Sequence, residues 1–291
     1  MKFNMFQEYI EVIKPKQTFL LMVTFLASYL ASSRLKTDIA DLTVSTIAVL
    51  LCVAGATAIN MWLDMDVDKK MNRTKKRPLP SGRLGVRECI VYGVTLYILG
   101  LLCSIMVRFE LTSVLAAGFI FYIIAYTIFL KRRSAYSILI GGVAGGMPSL
   151  AGWVATSGFS LPGLLVSLIV LLWIPSHIWY ISMHYEDDYR SAGIPTYPLV
   201  VGMRRASWAI VVTTGMILLL EVMIYLTTNL SIFYLVFSMA ATLYFIFRAA
   251  RFALKPSRAE ARKMYKLASM TLGAIFTSIF ADTLIKLLFA R

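Results

Sequence analysis

The apolar residues of this 291-residue chain fall into blocks of about 20, and that spacing constrains the fold more than any other feature. An α-helix of that length crosses the hydrocarbon core of a bilayer, where its backbone N–H and C=O groups must find partners within the helix. Nine such blocks are legible, at 17–33, 39–63, 89–108, 111–130, 135–157, 161–183, 207–228, 230–250 and 267–288. The chain is 59% hydrophobic, against about 45–50% for soluble domains. These observations predict an all-α integral membrane protein, one multi-pass domain over 1–291 with about nine transmembrane helices in a single bundle. The polar first 16 residues run into the first block without a small-residue cleavage pattern, so that block reads as a retained span. Cys52, Cys89 and Cys103 are odd in number and isolated. They fit neither a zinc site nor a disulfide framework, and read as small core residues.

The formal charge of +14 is unevenly placed. If the N-terminus and the loops after spans 2, 4, 6 and 8 share one side, that side carries 24 of the 29 Lys and Arg residues. The other side holds Arg34, Lys36, Arg108, Lys286 and Arg291. The excess of Lys and Arg on cytoplasmic loops places the N-terminus inside the cell membrane and the C-terminus outside. Topology, with a contribution from anionic lipid, accounts for the basic balance without nucleic acid.

Six of the fifteen acidic residues sit in two short stretches, Asp64/Asp66/Asp68 after span 2 and Glu186/Asp187/Asp188 after span 6. An even number of spans separates them, so both lie on the cytoplasmic side and can converge on a central cavity open there. Asn60, Asp64 and Asp68 are spaced i, i+4, i+8 on one helix face, with Asp66 on the far side. Oxygen donors in such a row suit a hard cation, and Mg²⁺ is commonly held by one or two carboxylates together with phosphate oxygens. Arg73 and Arg77 follow within reach, and guanidinium forks match phosphate oxygens. The combination points to a phosphate ester bound through Mg²⁺. Asp187 and Asp188 can hold a second cation or share the first, and Arg190 can touch phosphate. Lys131 and Arg132, in YTIFLKRRS, can close over the same site, although topology alone also explains their charge. His177 and His184, seven residues apart, share a face of span 6 and are candidates for proton transfer or acceptor contact. Pro148 and Pro175 lie inside spans. Gly141, Gly142, Gly145 and Gly146 permit close helix contact or form a cavity wall. Glu221 lies within span 7 and needs a partner, and Asp282–Lys286 reads as a structural pair.

The stretch NMWLDMDVDKKMNRTKKRPLPSGR, 60–83, resembles the first Asp-rich motif of the UbiA superfamily of intramembrane prenyltransferases, N-x3-D-x3-D followed by R-T-x-x-R-P-L. Asp66, Met71, the segment 126–158 and PSHIWYISMHYEDDYRSAGIPTYPLVVG at 175–202 resemble that superfamily's haem-farnesylating branch. The likeness runs from about Lys14 to Gly202. It implies transfer of the farnesyl group of farnesyl diphosphate to a vinyl group of haem B, with loss of diphosphate. It also implies a site in which Asn60, Asp64, Asp68, Asp187 and Asp188 hold Mg²⁺. Arg73, Arg77 and Lys131 would act on the diphosphate, and Arg132, Arg190, Tyr126, His177 and His184 would contact the substrates. A membrane partner of the haem pathway is compatible with this reading. Two alternatives remain: a prenyltransferase with a quinone-precursor, chlorophyll-type or glycerol-phosphate acceptor, or a carrier for a haem or phosphorylated ligand.

Overall fold

The computed structural model describes residues 5–33 and 38–289, all helices and connections. Arg34, Lys36 and Arg291, three of the outer-side cations, lie outside the described residues. The elements are α1 (Met5–Val12), α2 (Pro15–Ser32), α3 (Ile39–Leu63), α4 (Met65–Lys70), α5 (Val86–Val107) and α6 (Phe109–Phe119). A π-helical stretch, Ile120–Leu130, continues α6. There follow α7 (Ser137–Ser157), α8 (Leu161–His184), α9 (Glu186–Ser191), α10 (Tyr197–Val201), α11 (Met203–Thr227), α12 (Ile232–Leu254) and α13 (Arg258–Phe289).

Among the described residues, eight helices are long and apolar enough to cross a membrane, against the nine spans expected. The difference is α2, whose first turn spends Lys16 and Gln17 on the polar end and leaves a short apolar stretch. It still belongs to the bundle. Its Phe25 and Tyr29 are buried against α3, α6 and α7, and the Phe25 carbonyl lies where a Cβ on Gly152 would sit only 2.1 Å away. The α3–α5 seam is equally close: a Cβ on Gly55 would meet the Gly93 carbonyl at 2.6 Å. Lipid tails are as apolar as the side chains, so helices associate through such close backbone packing. The opposite faces expose Ile105, Met106, Leu219 and Leu226, the contact surface of an integral membrane protein.

The four-glycine segment divides by face. Gly142 and Gly146 press against Leu171 and Ser167 of α8, while Gly141 and Gly145 line a cavity. Glu221 is buried between α11 and α12, where the Thr242 hydroxyl donates to it at 2.7 Å. Asp282 accepts from the Ser231 amide and pairs with Lys286 at 2.9 Å, tying the start of α12 to the end of α13.

Candidate active site

One end of the bundle opens into a cavity of about 560 Å³ bounded by α2, α3, α5, the α6–π rod, α7, α8 and α13. Its mouth is charged and its interior apolar. Helix α3 ends at Asp64, where the backbone leaves helical geometry (φ −92°, ψ 0°) before α4 resumes. The Asp64 amide still donates to the Asn60 carbonyl, and that of Asp68 to Asp64, so the break is slight and the three side chains keep one face. All three are nearly inaccessible to solvent and line the cavity. Asp66, half a turn away, points outward.

Each of these polar groups is held by a cation or an amide. Lys131 Nζ lies 2.6 Å from Asp64 Oδ2, which also accepts from Asn60 Nδ2 at 2.9 Å. Arg77 Nη1 lies 2.7 Å from Asp68 Oδ2. Asn60 Oδ1 accepts from Lys14 Nζ at 2.9 Å, and its amide also donates to Thr127. Asp64 Oδ1 is buried with no hydrogen-bond partner among the described residues. A buried carboxylate oxygen without a donor is costly, and a bound cation removes the cost. Burial, and then the charge of Arg77, pushes the Lys14 ammonium down to about 7, although Asp64 and Asp68 pull it up. Burial is the largest single influence on Lys131 and works against its charge, but Asp64, Tyr126 and Asp68 together shift it upward.

Arg73 lines the cavity, its guanidinium 5.5 Å from the centre of the Tyr185 ring and in no ion pair among the described residues. Tyr126 stacks nearly parallel to Tyr122 beneath Lys131, whose ammonium is 5.9 Å from the Tyr126 ring centre. Both tyrosines belong to the π-helical stretch, where the wider turn shifts the side chains. The Lys131 amide donates to the Tyr126 carbonyl five residues back, at 2.8 Å.

The structure separates the other predicted site residues from the cavity. Asp187 is exposed and pairs with Arg258 at 3.0 Å. Asp188 is buried, but its carboxylate faces the 71–77 connection, accepting from the Arg73 amide at 2.9 Å and from Asn72 Nδ2 at 3.2 Å. It does not line the cavity. The expected five-residue metal set, Asn60, Asp64, Asp68, Asp187 and Asp188, is therefore not assembled here. Among the described residues no three His, Cys, Asp or Glu side chains cluster as metal ligands. Asp64 and Asp68 remain as two carboxylates at the cavity mouth, a number that fits Mg²⁺ when phosphate oxygens and water complete the shell. Arg132 also turns away: its guanidinium grips Asp66 with two contacts of 2.7 Å. Arg190 pairs with Glu186 four residues earlier, at 2.7 Å on the surface.

The two histidines part company. His184 Nδ1 contacts the Arg258 carbonyl at 2.9 Å, outside the cavity. His177 lines the cavity and stacks on Trp173 at 4.9 Å between ring centres. Its Nδ1 lies 3.0 Å from Ser269 Oγ and 3.3 Å from the Tyr265 carbonyl, and Ser269 itself donates to that carbonyl. The carbonyl facing Nδ1 favours the tautomer with its proton there, in which Nε2 carries the lone pair.

Sequence reasoning missed Lys14. It adopts a left-handed backbone (φ 48°) just before Pro15, a conformation that is rare for a side chain of this size and that aims the ammonium at Asn60. The Lys–Pro pair at a helix start was its only signal. Arg258 was missed too, because it lies about 70 residues from the acids it binds.

Comparison with known proteins matches this architecture. The model of the UbiA prenyltransferase family matches residues 21–273. The protoheme IX farnesyltransferase of Archaeoglobus fulgidus is 55% identical over 270 residues, covering 93% of this chain and 95% of that one. That of Korarchaeum cryptofilum is 43% identical over 278 residues, covering 95% and 94%. Among solved structures, a digeranylgeranylglyceryl phosphate synthase superposes with a TM-score of 0.80 at 21% identity, covering 96% of this chain and 99% of that one. A UbiA homolog from Archaeoglobus fulgidus bound to DMAPP and Mg²⁺ superposes with a TM-score of 0.73 at 15% identity, covering 94% and 99%. These last two likenesses are of fold.

Proposed function

This chain belongs to the UbiA prenyltransferase family, and we propose that it transfers the farnesyl group of farnesyl diphosphate to a vinyl group of haem B. The C1–O bond to diphosphate breaks, C1 bonds to the vinyl carbon, and water adds to the cation left on the porphyrin side, releasing a proton. The observation that carries the reading is the cavity mouth. There an Asp64 carboxylate oxygen without a partner and an Arg73 guanidinium in no ion pair among the described residues, together with the Asp68 carboxylate, surround the entrance to an apolar chamber.

Asp64 and Asp68 would hold Mg²⁺, which when bound neutralises the diphosphate leaving group. Asn60 positions Asp64 through its amide, and its own oxygen engages Lys14 rather than standing free for a metal. Arg73 offers its guanidinium to the diphosphate directly. Lys131 and Arg77 are paired with Asp64 and Asp68, and Lys14 with the Asn60 amide oxygen; all three exchange these partners for phosphate oxygens as the diphosphate binds. This is charge fixed in place before the reaction, and low dielectric strengthens it. Tyr122 and Tyr126 present aromatic faces below the mouth, and the apolar walls keep water from the allylic cation. Asp188 acts at one remove, by fixing the Arg73 backbone.

His177 is the residue we assign to haem. Its Nδ1 is anchored, and Nε2 is the nitrogen available to a porphyrin iron, the arrangement typical of a ligating histidine. Gly141, Gly145 and Pro148 line the same cavity from the α7 side. We also place the charged end of the bundle in the cytoplasm, because it carries most of the Lys and Arg residues, and the protein in the cell membrane.

The test is mass spectrometry of haem after incubation of the purified protein with haem B, farnesyl diphosphate and Mg²⁺. The expected product is haem carrying a hydroxyfarnesyl group, formed only with metal. Unaltered haem, with another acceptor prenylated, would replace haem in this proposal.

A further inference from the structure

We infer that Tyr97, backed by Phe119, forms the floor of the prenyl channel and limits the length of the prenyl chain; this rests on the prenyl-transfer reading above. Three helices agree on where the cavity stops. On α3 the lining stripe descends through Asp64, Asn60, Thr57 and Val53 to Cys52, and the next position, Val49, is fully buried in the core. On α6 it stops at Leu115, above buried Leu111. On α2 it stops at Thr24, above buried Ala27 and Ser28. Tyr97 spans the gap at that depth.

The floor is fastened on several sides. The Tyr97 hydroxyl donates to the Leu115 carbonyl at 3.3 Å. Its ring sits 4.4 Å from that of Phe119, and Cys52 Sγ reaches the Tyr97 carbonyl at 3.7 Å. Gly100 brings α5 so close to α3 that an added Cβ would meet Cys52 Sγ at 2.6 Å. A ring held at its hydroxyl, its face and its backbone does not swing aside as a free aromatic would.

Depth converts to chain length. From Asp64 to Cys52 is twelve residues, about 18 Å of helix. The cation and the diphosphate occupy the upper part of that depth. An isoprene unit, four carbon–carbon bonds of ~1.5 Å in zigzag, spans about 5 Å. A prenyl chain too long for the depth below the diphosphate must displace Tyr97.

The experiment measures kcat/KM for geranyl, farnesyl and geranylgeranyl diphosphate with haem B and Mg²⁺. Wild-type protein prefers farnesyl over geranylgeranyl by roughly 30-fold or more, the scale on which pockets reject surplus apolar groups. Tyr97→Ala narrows that ratio to under about threefold, whereas Tyr97→Phe, which keeps the ring, stays near wild type. Val53→Phe raises the floor and shifts the preference toward geranyl by about tenfold. It reads out independently if Tyr97→Ala fails to fold. Movement of either ratio in the stated direction supports the assignment. Farnesyl transfer with both ratios unmoved overturns the length limit alone. No transfer from any of the three diphosphates by the wild-type protein overturns the parent reading with it.

Discussion

The two acidic stretches of this protein have similar composition and opposite surroundings. In 64–68, the alternate acids Asp64 and Asp68 turn inward, where they are buried at the cavity mouth and faced by Lys131 and Arg77. In 186–188, Glu186 and Asp187 turn outward to Arg190 and Arg258, and Asp188 fastens a neighbouring loop. The hydrogen bonds from Arg190 and Arg258 hold the Glu186 carboxyl below its usual range although its partial burial acts the other way. Buried charge at a membrane boundary is expensive, and the first stretch retains an unpartnered oxygen as well. In the second stretch every carboxylate has a protein partner, and Asp187 is also open to solvent. The difference teaches that acid content alone does not mark a candidate metal site; unmet bonding capacity facing a cavity is the stronger sign.

The sharpest way to break the comparison is to neutralise one acid from each stretch. Asp64→Asn should lower kcat by roughly 10³-fold, the scale of losing a group aimed at transition-state charge. Asp187→Asn should stay within about twofold, because exposed ion pairs contribute 0–1 kcal/mol. Steady-state turnover with farnesyl diphosphate and haem measures both. Asp188→Ala should fall between them. It strips the acceptor from the Arg73 amide, a loss of about 1–3 kcal/mol, and should raise KM for farnesyl diphosphate about tenfold with a smaller change in kcat. The histidines extend the contrast. His177→Ala should shift the absorption spectrum of bound haem, and His184→Ala should not, as read by titrating haem into each purified variant. The smallest effect is expected at Arg132→Ala. It breaks the pair with exposed Asp66 and should leave kcat/KM within about twofold.

The pattern of spans was legible because the bilayer fixes helix length, and the inward face of Asn60, Asp64 and Asp68 because helical period fixes direction. The slight break at Asp64 did not disturb that period. Adjacent residues at a helix end were not legible. Lys131 enters the site and Arg132 leaves it, a split of about 100° that depends on the π-helical register before them. The partners of Asp187 and Asp188 come from α13 and from the 71–77 loop, contacts that only tertiary packing creates. Lys14 depends on a left-handed residue that no periodicity announces. Likewise, the spacing of His177 and His184 suggested a shared face, but docking of α13 onto α8 leaves only the first in the cavity.

The most direct test of the central claim is electron paramagnetic resonance of Mn²⁺, as a stand-in for Mg²⁺, bound with a non-ionisable farnesyl diphosphate analogue to wild-type, Asp64→Asn and Asp187→Asn protein. The account predicts a ternary signal in wild type and Asp187→Asn that is lost in Asp64→Asn. A signal that survives in Asp64→Asn and disappears in Asp187→Asn would contradict it.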